Sequence, residues 1–146
     1  MTTGMDVYDQ LAERIGQGHS KFIPHIWRLM VTPEQAEALL ALPGTAEDVA
    51  QRLGISPERA AELLEHAFRM ALTMPRQSEG EGVFRLVRHW GEFYESAHIA
   101  VPLIGEPLAD LWRKWRLTEG WAEHRASELK SPKPDRVLPH VDAVED

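Results

Sequence analysis

Glu95-Ser96-Ala97-His98 and the pair Glu62 and His66 set a carboxylate and an imidazole three or four residues apart. On a helix that spacing puts both groups on one face. Two E-x-x-H copies with two further glutamates build the di-metal centres of carboxylate bundles. Here one E-x-x-H occurs, and the seven histidines form no H-E-x-x-H or H-x-x-x-H. The expectation is a surface carboxylate–imidazole pair in each case, with no bound metal. The chain has no cysteine, so it offers no thiolate zinc site, iron–sulfur ligand, disulfide or cysteine nucleophile. There is no G-x-S-x-G, and Gly80-Glu81-Gly82 lacks the Lys-Ser/Thr that completes a phosphate loop. These residues point to a non-enzyme that binds no cofactor itself.

Two other groups bear on binding. Arg113-Lys114-Trp115-Arg116 beside Trp112 mixes cations with indoles, as single-strand binders do, but tryptophans at i, i+3 are more simply a buried helix face with a solvated cationic flank. Trp90, Phe93, Tyr94, Trp112, Trp115 and Trp121 hold much of the large apolar area, and whatever the intrachain core leaves uncovered is the candidate protein interface. A homodimer through these aromatics is the expectation.

The elements that must position these groups are read from periodicity. A short amphipathic helix is expected near residues 5–16, stopped by Gly16 and Gly18, and another from about Pro24. Thr32-Pro33-Glu34-Gln35 opens a helix with a cap, a proline at its first position and a returning glutamine. Thr45 with Asp48 opens a second, which Gly54 ends in a left-handed conformation. Ser56-Pro57 opens a third, expected to run through Leu72 with Leu63, Leu64, Ala67, Phe68 and Ala71 inward. The period then changes to two: Leu72 and Met74, a turn-rich loop, and Val83–Val87 read as a hairpin. Arg88–Ile99 reads as one helix, Pro102 and Pro107 as breaks, and Leu108–Trp115 as a helix continuing toward Trp121 and Leu129 despite Gly120.

Helix, helix after the short turn Leu53-Gly54-Ile55-Ser56, then hairpin is the order of a winged helix-turn-helix. The predicted fold class is mainly α: three helices and a two-stranded hairpin, with flanking N- and C-terminal helices. Such folds often read DNA with the second motif helix and hold phosphates with Lys and Arg. From Pro57 to Arg88 the cations Arg59, Arg69, Arg76, Arg85 and Arg88 are matched by Glu58, Glu62, Glu65, Glu79 and Glu81. Glu58 falls in the first turn of the reading helix and Glu79 and Glu81 at the wing tip, where bases and phosphates would be met. The charges therefore oppose DNA binding, and a DNA-binding regulator using those five arginines is the alternative.

The runs Leu29–Glu37 and Leu42–Ala50, the hairpin Gly82–Leu86 and Arg88–Phe93 resemble the N-terminal region of bacterial and archaeal 4Fe-4S dicluster ferredoxin-type proteins. Arg136-Val137-Leu138-Pro139 is similar to the connector before their cluster domain. The middle section is also similar to winged-helix regulators of the MarR and ArsR types. The first resemblance implies a module that dimerises or positions a redox partner. The cluster-binding cysteines are missing, so any 4Fe-4S cluster belongs to a partner or to sequence outside this chain.

The chain has 146 residues, 43% apolar and 27% charged, with 16 cationic and 23 acidic side chains and a net charge of −7. One domain over residues 1–130 is expected, followed by an extended or disordered connector, 131–146, with three prolines and four acids. No apolar run approaches the ~20 residues that span a bilayer, and the N-terminus lacks the pattern of a signal peptide. A cytoplasmic protein with no membrane partner is the expectation.

Overall fold

Asp6 caps the first helix by accepting the Asp9 N–H on its carboxylate at 2.8 Å. α1 runs Val7–Arg14, and α2 runs Ile23–Met30 with Pro24 in its first turn. These and all later elements come from a computed structural model that describes residues 6–130; the connector expected at 131–146 lies outside the described residues. Tyr8 Oη donates to the Val31 carbonyl at 2.9 Å and Arg28 reaches Asp6 at 2.8 Å, so the start of α1 is tied to the C-terminal end of α2.

The next three helices start as their cap residues predict. α3 (Pro33–Leu40) and α4 (Ala46–Leu53) carry complete capping boxes, Thr32 with Gln35 and Thr45 with Asp48. Gly54 ends α4 at φ +68°, and Ser56 caps α5 (Pro57–Arg69) by accepting the Arg59 N–H. α5 stops short of Leu72. Ala71 takes φ +60°, and the Leu72 N–H returns to the Ala67 carbonyl at 2.9 Å, which closes a Schellman turn. That turn has alanine where glycine is usual, so the residue types do not announce it.

β1 (Thr73–Pro75) pairs antiparallel with β2 (Phe84–Leu86), Met74 opposite Arg85. Gly44, between α3 and α4, adds a bridge to Phe84 with both N–H···O bonds at 2.9 Å. The hairpin thus leans on α5 at one face and on the α3–α4 connection at its edge. Helix, bridge strand, two helices and hairpin give a mainly helical, winged-helix-like fold.

The C-terminal helices pack on the far side of α2. The single helix expected over Arg88–Ile99 is two, α6 (Trp90–Glu95) and α7 (Ala97–Ile104), parted at Ser96, whose buried hydroxyl donates to the Phe93 carbonyl at 2.6 Å. Competition of that kind between a serine side chain and the helical ladder favours a break. Pro102, expected to break the chain, sits inside α7, where it offers no N–H to the carbonyl of exposed His98 four residues back. α8 (Glu106–Trp115) does continue to α9 (Trp121–Lys130), through the π turn Arg116–Gly120. A Cβ at Gly120 would lie 2.6 Å from the Trp115 ring, so glycine is what lets the turn close over that indole. Trp27 stacks on Phe93 at 4.0 Å, and Phe93 meets Trp112 at 5.2 Å, joining α2, α6 and α8 in one apolar core.

Candidate functional site

The motif brings α5 and the hairpin together over a cleft of about 430 Å³. Its floor is Ala61, Leu64, Phe68 and Phe84, and its rim is Glu47, Glu65 and Glu81. Phe68 was expected inward; it is 53% exposed because it lies at the edge of the buried arc of α5, toward β2. There it meets Phe84 edge-on at 5.7 Å. Glu65 pairs loosely with Arg69 at 3.5 Å, both largely exposed. No arginine or lysine lines this cleft among the described residues. Glu47 was not singled out in the sequence, because it comes from the first turn of a different helix.

Four of the five arginines considered for DNA contact are paired with carboxylates. Arg59 forms a forked contact with Glu34 and lies 3.9 Å from Glu62. The Arg59 hydrogen bond holds the Glu34 carboxyl below the usual range. Arg69 pairs with Glu65, and Arg76 Nε lies 2.6 Å from Glu79. Arg85 grips Glu92 with two parallel bonds of 3.0 and 2.9 Å, both side chains only 18% exposed. That fork, with the Arg88 N–H as a further donor, brings the Glu92 carboxyl down to about 2. Arg88 is exposed, and its side chain has no carboxylate partner among the described residues. Glu58, Glu62, Glu65, Glu79 and Glu81 are all exposed on α5 and the wing.

The hairpin sorts these charges. Phe84 turns toward α5, whereas Arg85, its neighbour along the strand, turns to the other face. On that face Arg76, Arg85 and Arg88 join Arg14 of α1 around a separate pocket of about 260 Å³. Arg14 was not part of the expected set, since about seventy residues separate it from Arg85.

The aromatic candidates divide sharply. Phe93, Trp112 and Trp115 are buried inside the chain, and Trp90 and Tyr94 are half-buried against the same core. Their expected place at an interface is corrected accordingly: stacking on Trp27 and on one another uses that area within the chain. Trp121 alone of the six is exposed, at 58%, close to exposed Leu117. The cations between the tryptophans are indeed the solvated flank, with Arg113 and Lys114 both paired to Asp110. Among the described residues no three His, Cys, Asp or Glu side chains are placed to hold a metal ion. Among the described residues, no helix is long and apolar enough to cross a membrane.

Comparison of the chain with protein-family models, with curated proteins and with solved structures finds no match.

Proposed function

We propose that this chain is a non-catalytic winged-helix interaction module that docks a basic, apolar-anchored segment of another protein between α5 and the wing. The carrying observation is the α5–hairpin cleft: an aromatic floor, three glutamates at its rim and no lining cation, on the surface where a DNA-reading winged helix would need the reverse. Duplex DNA carries one charge per ~1.7 Å, so every rim carboxylate opposes it and every Arg–Glu pair must be broken to reach a phosphate. A Lys- or Arg-bearing protein segment meets the opposite balance, with Phe68 and Phe84 to receive an apolar side chain.

The test uses a fluorescein-labelled amphipathic peptide carrying lysines on one face and leucine and phenylalanine on the other. Binding that weakens with salt and is lost in Phe68→Ser and Glu65→Lys supports this reading. Retention of a DNA duplex at low salt, with affinity falling steeply as salt rises, overturns it in favour of the regulator. The sequence resemblance makes a 4Fe-4S ferredoxin-type domain the first natural partner to assay.

Self-association is a second part of the proposal, now centred on Leu117 and Trp121 rather than on the six aromatics. What supports it is that α9 packs mainly on the π turn and leaves Trp121 uncovered. Sedimentation at ~100 µM should show a dimer in wild type and a monomer in Trp121→Ala, since apolar anchors of this kind carry interface energy of 2 kcal/mol or more, roughly.

A further inference from the structure

We infer that the pocket on the outer face of the hairpin is a binding site for a small phosphate-class oxyanion. Arg14, Arg76, Arg85 and Arg88 converge there from α1, the wing and the start of the segment before α6, over a floor that includes Leu42 and Leu86. The lining contains no carboxylate, in a chain that carries seven more acids than cations.

Two of the four guanidinium charges are balanced from outside the pocket, Arg76 by Glu79 and Arg85 by Glu92. The other two are not. Arg14 donates to the Leu40 carbonyl at 2.8 Å, a contact that orients it without neutralising it, and Arg88 keeps its side-chain donors free among the described residues. Uncompensated like charges in a concavity repel one another, and an anion bound between them removes that cost. Arginine is the side chain whose planar fork fits the oxygens of a phosphate or carboxylate in pairs. With Arg14 held by the Leu40 carbonyl, one guanidinium is already oriented before an anion arrives, whereas Arg85 spends both terminal nitrogens on Glu92.

The volume selects the ligand's size. About 260 Å³ is at the small end for organic ligands, enough for one phosphoryl group with a small body. The position selects against a polymer: the pocket is concave and lies on the hairpin face turned away from the exposed side of α5. This inference is independent of the docking cleft, which occupies the opposite face of the hairpin.

The test is titration of the full chain with inorganic phosphate at constant ionic strength, read by calorimetry and by phosphorus NMR. One saturable site is expected, with a dissociation constant of ~1 mM or tighter. Arg88→Ala should weaken binding at least ~tenfold and abolish the phosphate-dependent rise in melting temperature. Arg14→Lys keeps the charge but loses the fork, and should weaken binding several-fold. Arg69→Ala, on the exposed side of α5, should leave it unchanged. The Arg88 side chain makes no hydrogen bond or ion pair among the described residues, so an unchanged circular dichroism spectrum separates a lost site from a lost fold. Linear, unsaturable uptake, or wild-type affinity in Arg88→Ala, overturns the proposal. So does a DNA duplex that binds through Arg14 and Arg88 more tightly than phosphate with a steep salt dependence, which would make the pocket part of a polyanion surface.

Discussion

Replacing Glu92 by glutamine tests whether the wing is locked to α6 by an ion pair or merely rests on it. Glu92 accepts both arms of the Arg85 guanidinium and the Arg88 N–H, and it sits in the first turn of α6, where the helix dipole favours an anion. Its carboxyl is held at about 2, against an ordinary 4.5. At about 1.4 kcal/mol for each tenfold change in proton affinity, that difference corresponds to about 3 kcal/mol of folding stability. The figure is above the 0–1 kcal/mol or so of exposed pairs, in keeping with two side chains that are only 18% exposed. Glutamine retains one acceptor, so Glu92→Gln should lose about 2 kcal/mol, or about 8 °C of melting temperature for a domain of this size. The folded value lies below the unfolded one, so the contribution is fully present above about 4.5 and is lost as the pH falls toward 2. Urea unfolding followed by circular dichroism should therefore show a constant gap between wild type and variant near neutrality, closing in acid. A variant within ~0.5 kcal/mol of wild type at neutral pH, the scatter of ordinary surface changes, would refute the reasoning. A gap that ignores pH would do the same.

Glu92→Gln should also strengthen inorganic phosphate binding several-fold, because it releases Arg85 from its counter-charge; equal or weaker binding would argue against a shared charge balance. Gly120→Ala should cost about 1–3 kcal/mol despite alanine's better helix propensity, since the new methyl meets the Trp115 ring, and Trp115→Phe in the same chain should recover part of it in denaturant titrations. Gly44→Ala should cost about 2–3 kcal/mol, measured by thermal unfolding: φ is +152°, a Cβ would lie 2.9 Å from Asp48, and both the Thr45 capping box and the bridge to Phe84 are at stake. Glu119→Ala should speed hydrogen exchange across α8 and the π turn but not across α3–α5, because Glu119 is what the Ser20 hydroxyl (2.5 Å) and the Lys21 N–H (2.9 Å) hold.

Helix starts were legible because a cap acts within three residues of itself. Thr32, Thr45 and Ser56 do locally what their types predict, and Gly54 takes the positive φ that stops α4. Helix stops were less so. The Ala71 turn, the Ser96 break and the continuation through Pro102 each depend on which backbone group finds a partner or solvent, and that is decided by neighbours remote in sequence. The charge balance of the motif was likewise legible as a sum, five against five, and its glutamates are exposed as expected.

What the sequence alone determined is the set of starts, the one left-handed glycine between α4 and α5, the change of period at the hairpin, and the absence of any thiol chemistry. These are short-range or compositional properties, and no distant residue alters them. Which face each residue serves was settled only by the tertiary structure. The alternation of the strand sends Phe84 toward the glutamates of the docking cleft and Arg85 toward Arg14, while stacking on Trp27 draws Phe93, Trp112 and Trp115 into the core and leaves Trp121 outside. A sum of charges or an inventory of rings is additive along the chain, but a surface is made where segments far apart in sequence meet.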